Sequence, residues 1–250
     1  MSKLIAVTGK GGTGKTTTAA LMIRHLKKCA NGPILALDAD PDANLATVLG
    51  IPVEKSIGDL REQTLKEMKN LPAGLSKSQY IEAGLHEIIA ESEKIDLIAM
   101  GRSEGPGCYC FMNSLLRKFA EDLLPSYEWV VMDNEAGLEH LSRRTAARVD
   151  HLVIVINQSP LSVDCAVRIE ELVRELKNEV AHRHLLLNAV PAARMTTMLT
   201  RLEALESKLI GTVPADPALE DAVLAGHALL DMADGPAVAS IAEIMKKLGA

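Results

Sequence analysis

The chain has 250 residues, 48% of them hydrophobic and only 2% aromatic, so it can bury one substantial core, and that core must be aliphatic. Its formal charge of −6 argues against nucleic acid as the main ligand, because holding a phosphate backbone relies on a broad basic surface. No stretch has the length and apolarity of a membrane span, and the first residues run into an apolar segment without the parts of a secretory signal, so a cytoplasmic protein is expected, with no membrane partner.

The first predicted strand is Leu4–Val7. It feeds the run Gly9-Lys10-Gly11-Gly12-Thr13-Gly14-Lys15-Thr16-Thr17, which opens a helical pattern over Thr18–Leu26. Strand, glycine-rich turn and helix in this order are the context of a phosphate-binding P-loop. Glycines let backbone N–H groups crowd around a polyphosphate, and the helix N-terminus adds free donors and its dipole. Lys15 supplies a point charge to the β- and γ-phosphates, and the Thr16 hydroxyl can ligate Mg²⁺. ATP and Mg²⁺ are therefore expected ligands, with Gly9, Gly11, Gly12, Thr13, Gly14, Lys15, Thr16 and Thr17 forming the cradle. Arg24 to Lys28, in the same helix, and the group Arg143, Arg144, Arg148 are read as solvated basic faces.

The second predicted strand, Ile34–Leu37, ends at Asp38 and Asp40, where carboxylates can hold Mg²⁺ through water or orient an attacking water. A long polar, mainly helical insertion follows over Ile51–Lys94. Further strands are predicted at Ile95–Met100, Trp129–Met132, Leu152–Ile156, His184–Leu187 and Leu209–Val213, with helical patterns at Ser142–Arg148, Val163–Glu179, Thr197–Glu206 and Val238–Leu248. Near-continuous apolar strands alternating with helices predict an α/β fold, a doubly wound and mostly parallel sheet, in one P-loop domain spanning residues 1–250. Val130-Val131-Met132-Asp133 is an apolar strand ending in a carboxylate, which places Asp133 on the Mg²⁺ shell. Asn134-Glu135-Ala136-Gly137 would then be a nucleotide-responsive switch, with Glu135 either sensing nucleotide or making an ordinary ion pair.

Four cysteines are present. Cys29 and Cys165 sit alone on helical patterns and read as small core residues, whereas Cys108 and Cys110 flank Tyr109 in a Gly/Pro-rich loop. In an extended segment the side chains at i and i+2 share a face, so both thiolates can address one ion. Two thiolates are half of a tetrahedral soft-metal site, and a second copy about a two-fold axis supplies the rest.

The run G-K-G-G-T-G-K-T-T resembles the deviant P-loop of the ATPase class that contains the nitrogenase iron protein and the division and partition ATPases. That resemblance implies that Lys10 reaches across a dimer interface to the partner's nucleotide. A-L-D-A-D-P resembles the first switch segment of the class and carries Asp40 over as the catalytic carboxylate beside Lys10 and Lys15, with Asp38 its rival. Asn44 falls where some relatives have a second aspartate. Asn188 and the segment Pro214-Ala215-Asp216 stand where related ATPases hold adenine, although Asn188 also reads as a strand-end cap. With Cys108-x-Cys110 and D-N-E-A-G-L-E-H added, the chain resembles the nickel-inserting maturation ATPases of carbon monoxide dehydrogenase, the CooC type. What this implies is an ATP-dependent homodimer, with Ni²⁺ or Zn²⁺ held across the dimer by Cys108 and Cys110, serving carbon monoxide dehydrogenase, acetyl-CoA synthase or another nickel enzyme. Two alternatives share the P-loop. A spatial regulator of the division and partition type needs a basic or lipid-binding surface, and an iron–sulfur electron donor needs a cluster between subunits.

Overall fold

The computed structural model describes residues 2–67, 84–101, 123–135, 148–175 and 180–250. Chain order within them is β1 (Lys3–Thr8), α1 (Lys15–Cys29), β2 (Ile34–Asp38), α2 (Asn44–Leu49), α3 (Ile57–Glu67), β3 (Ala90–Ser92), β4 (Ile95–Ala99) and β5 (Trp129–Asp133). It continues with β6 (Val149–Ile156), α4 (Pro160–Glu175), β7 (Val180–Asn188), α5 (Ala192–Leu202), β8 (Lys208–Val213), α6 (Pro217–Leu224) and α7 (Pro236–Lys247). The strands form one eight-stranded sheet in the order β3-β4-β2-β5-β1-β6-β7-β8. Every pairing is parallel except β3 with β4. The fold class is the α/β, mostly parallel arrangement expected from the alternation.

Both faces of the sheet are covered, and β1 shows why its sequence is an unbroken apolar run. Leu4 and Ala6 join the core shared with Ile169 and Val173 of α4. Ile5 and Val7 point the other way, into the core shared with α1, α2 and α7 through Met22, Leu45 and Ile241. Period-2 alternation thus divides an apolar strand between two cores rather than between core and solvent. β1 lies at the switch of the winding: β5, β2 and β4 extend to one side and β6, β7 and β8 to the other. A ligand crevice beyond the carboxyl ends of the strands follows from that reversal.

Several expectations need correction. β3 escaped the apolar pattern because it is a three-residue polar edge strand, turned back by Lys94 at φ 60°. The segment predicted as helical over Thr197–Glu206 is helical over Ala192–Leu202 instead. Pro191 fits the position before a helix, and the Glu170 carboxylate takes the N–H groups of Glu206 and Ser207 (3.1 and 2.7 Å), holding them in a turn. α4 and α7 begin at Pro160 and Pro236, prolines that suit the first helical turn. Cys29 is exposed, unlike the buried Cys165. Arg24 is not on a solvated face: it is 4% exposed and pairs with Asp234 at 2.8 Å while donating to the Met232 carbonyl. Residues 142–147 of the predicted helix Ser142–Arg148 lie outside the described residues, as do 176–179 of the one at Val163–Glu179. Among the described residues, no helix is long and apolar enough to cross a membrane.

Candidate nucleotide site

The loop after β1 is shaped by its neighbours. Gly9 has φ 145°, and a Cβ there would run into the Val155 carbonyl of β6. Gly14 has φ 90°, and a Cβ there would strike the Asn188 side-chain amide. These two glycines are required because the chain threads between strand ends in a left-handed conformation. Three of the loop's carbonyls are hydrogen-bonded, one from within the loop and two from neighbouring strand ends. The Thr13 hydroxyl and N–H donate to the Lys10 carbonyl (2.8 and 3.2 Å), Asn157 Nδ2 to Gly12 O (3.4 Å) and Asn188 Nδ2 to Thr13 O (2.9 Å). With these three carbonyls engaged, fewer acceptors are left to repel a phosphate. α1 adds free N–H groups, because Gly14 caps it without a side chain and its first turn holds no acidic residue. Lys15 is 8% exposed at its base, and a Cβ at Gly11 or Gly12 would meet open space. The concavity is lined by donors and a cation, which is the chemistry a triphosphate requires.

The acids gather on the other side of β1. The ends of β1, β5 and β2 are in register, Val7 with Asp133 and Asp133 with Asp38. Asp38 is 1% exposed, and both of its oxygens are used: Oδ1 accepts from Asp40 N (3.2 Å) and Oδ2 from Leu45 N (2.8 Å). Burial pushes its pKa up to about 7, aided by Asp133 and Asp40 against the pull of those hydrogen bonds. Its carboxyl therefore fastens the start of α2 rather than facing a ligand. Asp40 is half-buried and accepts from Asp42 N (3.0 Å), near enough to Asp133 to raise the latter's pKa. Of the two rivals, Asp40 is the one that opens toward solvent.

Asp133 is different again. It is 1% exposed, yet neither carboxylate oxygen has a hydrogen-bond partner of ordinary geometry among the described residues. Burial lifts its pKa to about 6, with the Thr16 hydroxyl and Lys15 ammonium drawing it down and Asp40 raising it. Beside it, Asn134 spends its amide N–H on Val7 O (3.1 Å) and leaves its own buried Oδ1 without a partner. Each such orphan costs about 1–3 kcal/mol. The two buried Asp133 oxygens, beside Thr16 and Lys15, fit Mg²⁺ and its water shell: Thr16 would ligate the ion and Asp133 would hold coordinated water. When bound, the ion would neutralise charge on the β- and γ-phosphates.

A cleft of about 340 Å³ opens on the β7–β8 side, lined by Gly14, Leu21, Asn188, Pro214 and Asp216, with Leu224 standing 86% exposed at its rim. Its apolar floor and small volume suit a planar base. Asn188 spends one of its two amide N–H groups on Thr13 O, which leaves its other N–H and its side-chain oxygen for a ligand. Asp216 is committed to the fold: Oδ1 caps α6 through Ala218 N and Leu219 N (3.2 and 3.4 Å), and Oδ2 accepts from Ala237 N (3.1 Å). It shapes the cleft without offering a free acceptor. Asn157, which braces the loop from the end of β6, was missed; an asparagine directly after the apolar run Leu152–Ile156 was the available signal. Cys108, Cys110 and Gly137 lie outside the described residues.

A glycine-rich loop between a parallel strand and a helix, a buried lysine and an unsatisfied strand-end carboxylate together define a P-loop ATPase. The CobQ/CobB/MinD/ParA nucleotide binding domain matches residues 4–230, and the chain belongs to that family. It is 39% identical over 248 residues to an uncharacterized ATP-binding protein of Methanocaldococcus jannaschii, covering 98% of each chain. It is 32% identical over 263 residues to the carbon monoxide dehydrogenase accessory protein CooC of Rhodospirillum rubrum, covering 98% of this chain and 97% of the relative. Among solved structures, the MinD cell division protein of Aquifex aeolicus shares the fold with a TM-score of 0.71 at 21% identity, over 100% of this chain and 97% of that one.

Proposed function

We propose that this ATPase is a metallochaperone: a homodimer that uses ATP to load nickel into carbon monoxide dehydrogenase or a related nickel enzyme. The observation that carries this reading is the near-full-length likeness to an accessory protein of carbon monoxide dehydrogenase in a chain that also holds the Cys108-x-Cys110 pair. Lys15 and the loop N–H groups hold the phosphates, and Thr16 and Asp133 hold Mg²⁺. Asp40 orients the attacking water and can take its proton, because it combines solvent access with proximity to Asp133. The Lys10 ammonium makes no hydrogen bond or ion pair among the described residues and the residue is half-buried, which suits a cation that serves the partner's nucleotide. Asn188 and Pro214 bound the base.

The cargo ion, Ni²⁺ or Zn²⁺, is held by Cys108 and Cys110 from each subunit. ATP and metal both favour the closed dimer, so each tightens binding of the other, and hydrolysis loosens both. Metal analysis of Cys108→Ser/Cys110→Ser tests the site. The variant should lose the thiolate-bound ion and keep ATP binding; a thiolate-type spectrum that persists would refute the assignment. Division and partition relatives give a second reading, favoured by 28% identity over 195 residues to the maintenance of carboxysome distribution protein A of Gloeothece citriformis. ATP-dependent co-sedimentation with DNA or anionic vesicles would support it over the first.

A further inference from the structure

At the end of the sheet opposite the P-loop, the first halves of β6 and β7 carry three histidines on one face. His182 and His184 are i and i+2 on β7, so their side chains leave the same side. His151 on β6 is in register with His182, which brings its side chain to that side as well. The three rings form a triangle with centroids 5.3, 5.3 and 6.4 Å apart. His151 Nδ1 and His184 Nε2 stand 3.1 Å apart and share one hydrogen. With zinc–nitrogen bonds of roughly 2.0–2.1 Å, two nitrogens at that 3.1 Å separation would subtend about 100° at a common ion. That angle is close to what tetrahedral and octahedral ions accept.

The three rings do not yet converge: among the described residues no group of three such side chains is arranged as a ready-made metal site. Two contacts hold them apart: His151 Nδ1 and His184 Nε2 face each other through the shared hydrogen, and His182 lies nearly flat on His151, their planes 23° apart. His182 is also the exposed member of the trio, free to change rotamer at the surface. We propose that His151, His182 and His184 form a nitrogen-only site for a divalent first-row transition ion, completed when the ion replaces the hydrogen shared by His151 and His184, those two rings turn toward it, and His182 swings off the stack. Imidazole ligands suit Zn²⁺, Ni²⁺ and Cu²⁺, and the ion would cross-link β6 to β7.

His151 and His184 meet little competition from protons. Burial, then the neighbouring rings His151 and His182, lowers the pKa of His184 to about 4, and burial followed by His182 lowers that of His151. The cluster sits at the amino ends of the strands, whereas the nucleotide sits at their carboxyl ends, so its affinity should not depend on ATP.

Titration of Cys108→Ser/Cys110→Ser with Co²⁺ and Zn²⁺ isolates this site from any thiolate site. One Co²⁺ per chain is expected, with visible d–d bands, no thiolate charge-transfer band and the same affinity with and without ATP. Adding His184→Gln should weaken binding by roughly 100-fold or more, since even an outer contact can be worth that much. His182→Gln should do the same, and because His182 is exposed this change spares the fold even if the buried substitutions do not. Failure of the double-serine protein to hold Co²⁺, or binding unchanged by His182→Gln, would overturn the three-histidine site.

Discussion

The two flanks of β1 differ in how far their polar side chains are satisfied. On the β6–β8 side, Asn157, Asn188 and Asp216 are bonded into the loop and helix that they support. On the β5–β2 side Asp38 is satisfied too, but Asp133 and Asn134, more deeply buried than either asparagine, keep acceptor oxygens without a hydrogen bond of ordinary geometry among the described residues. The satisfied flank is a rigid wall that fixes the loop whatever is bound. The unsatisfied flank gives up stability in the empty protein that a cation and nucleotide would restore, because buried polar groups are costly until paired. Shape is invested on one side and charge on the other.

The largest effect expected from breaking this contrast lies between the flanks. Lys15→Ala removes the buried cation that faces both the phosphates and Asp133, and should cut ATP turnover by about 10²–10³, the range for one preorganised electrostatic donor. Steady-state phosphate release measures it. On the satisfied flank, Gly14→Ala forces a Cβ into the Asn188 amide at φ 90° and should cost about 1–3 kcal/mol in urea unfolding. Asn188→Ala in the same chain should return the part due to the clash and leave the part due to the dihedral.

The unsatisfied flank predicts the opposite sign. At pH 8 Asp133→Asn should stabilise the nucleotide-free protein by about 1–3 kcal/mol while abolishing the extra stability that Mg²⁺-ATP confers. The pH dependence follows from the same groups. Asp133 and Asp38 have folded pKa values raised to about 6 and about 7, above an unfolded value of about 3.9. Between those limits the folded state binds more protons, so stability falls as pH rises from about 4 through about 7 and levels off above. Melting temperatures of nucleotide-free protein at pH 5 and pH 8 should differ in that direction, and Asp133→Asn should shrink the difference. Smallest of all, Glu206→Gln on the surface, where it pairs with Arg174 and Arg183, should leave the urea unfolding midpoint essentially unchanged.

The sequence made the phosphate cradle legible because its chemistry is local: strand, glycines, lysine and helix are consecutive. Asp133 was legible for a similar reason, as a carboxylate closing an apolar strand. Roles set by distant contacts were not. Asp38 looked as able to serve the metal as Asp40 until its oxygens were found on the N–H groups of Asp40 and Leu45. Asp216 looked like a ligand group and turned out to be a helix cap tied to Ala237. Arg24 looked solvated because its partner, Asp234, is more than two hundred residues away in the chain. The histidine triangle was invisible for the same reason, since only strand register brings His151 to His182.

The proposed coupling between nucleotide and cargo is tested most directly by native mass spectrometry of the protein titrated with Ni²⁺, with and without a non-hydrolysable ATP analogue and Mg²⁺. With nucleotide, a dimer should appear that holds one cysteine-dependent Ni²⁺ per pair of chains, at an affinity higher than without nucleotide. A chain that stays monomeric under both ligands, or that binds this ion equally well in either state, would contradict the account.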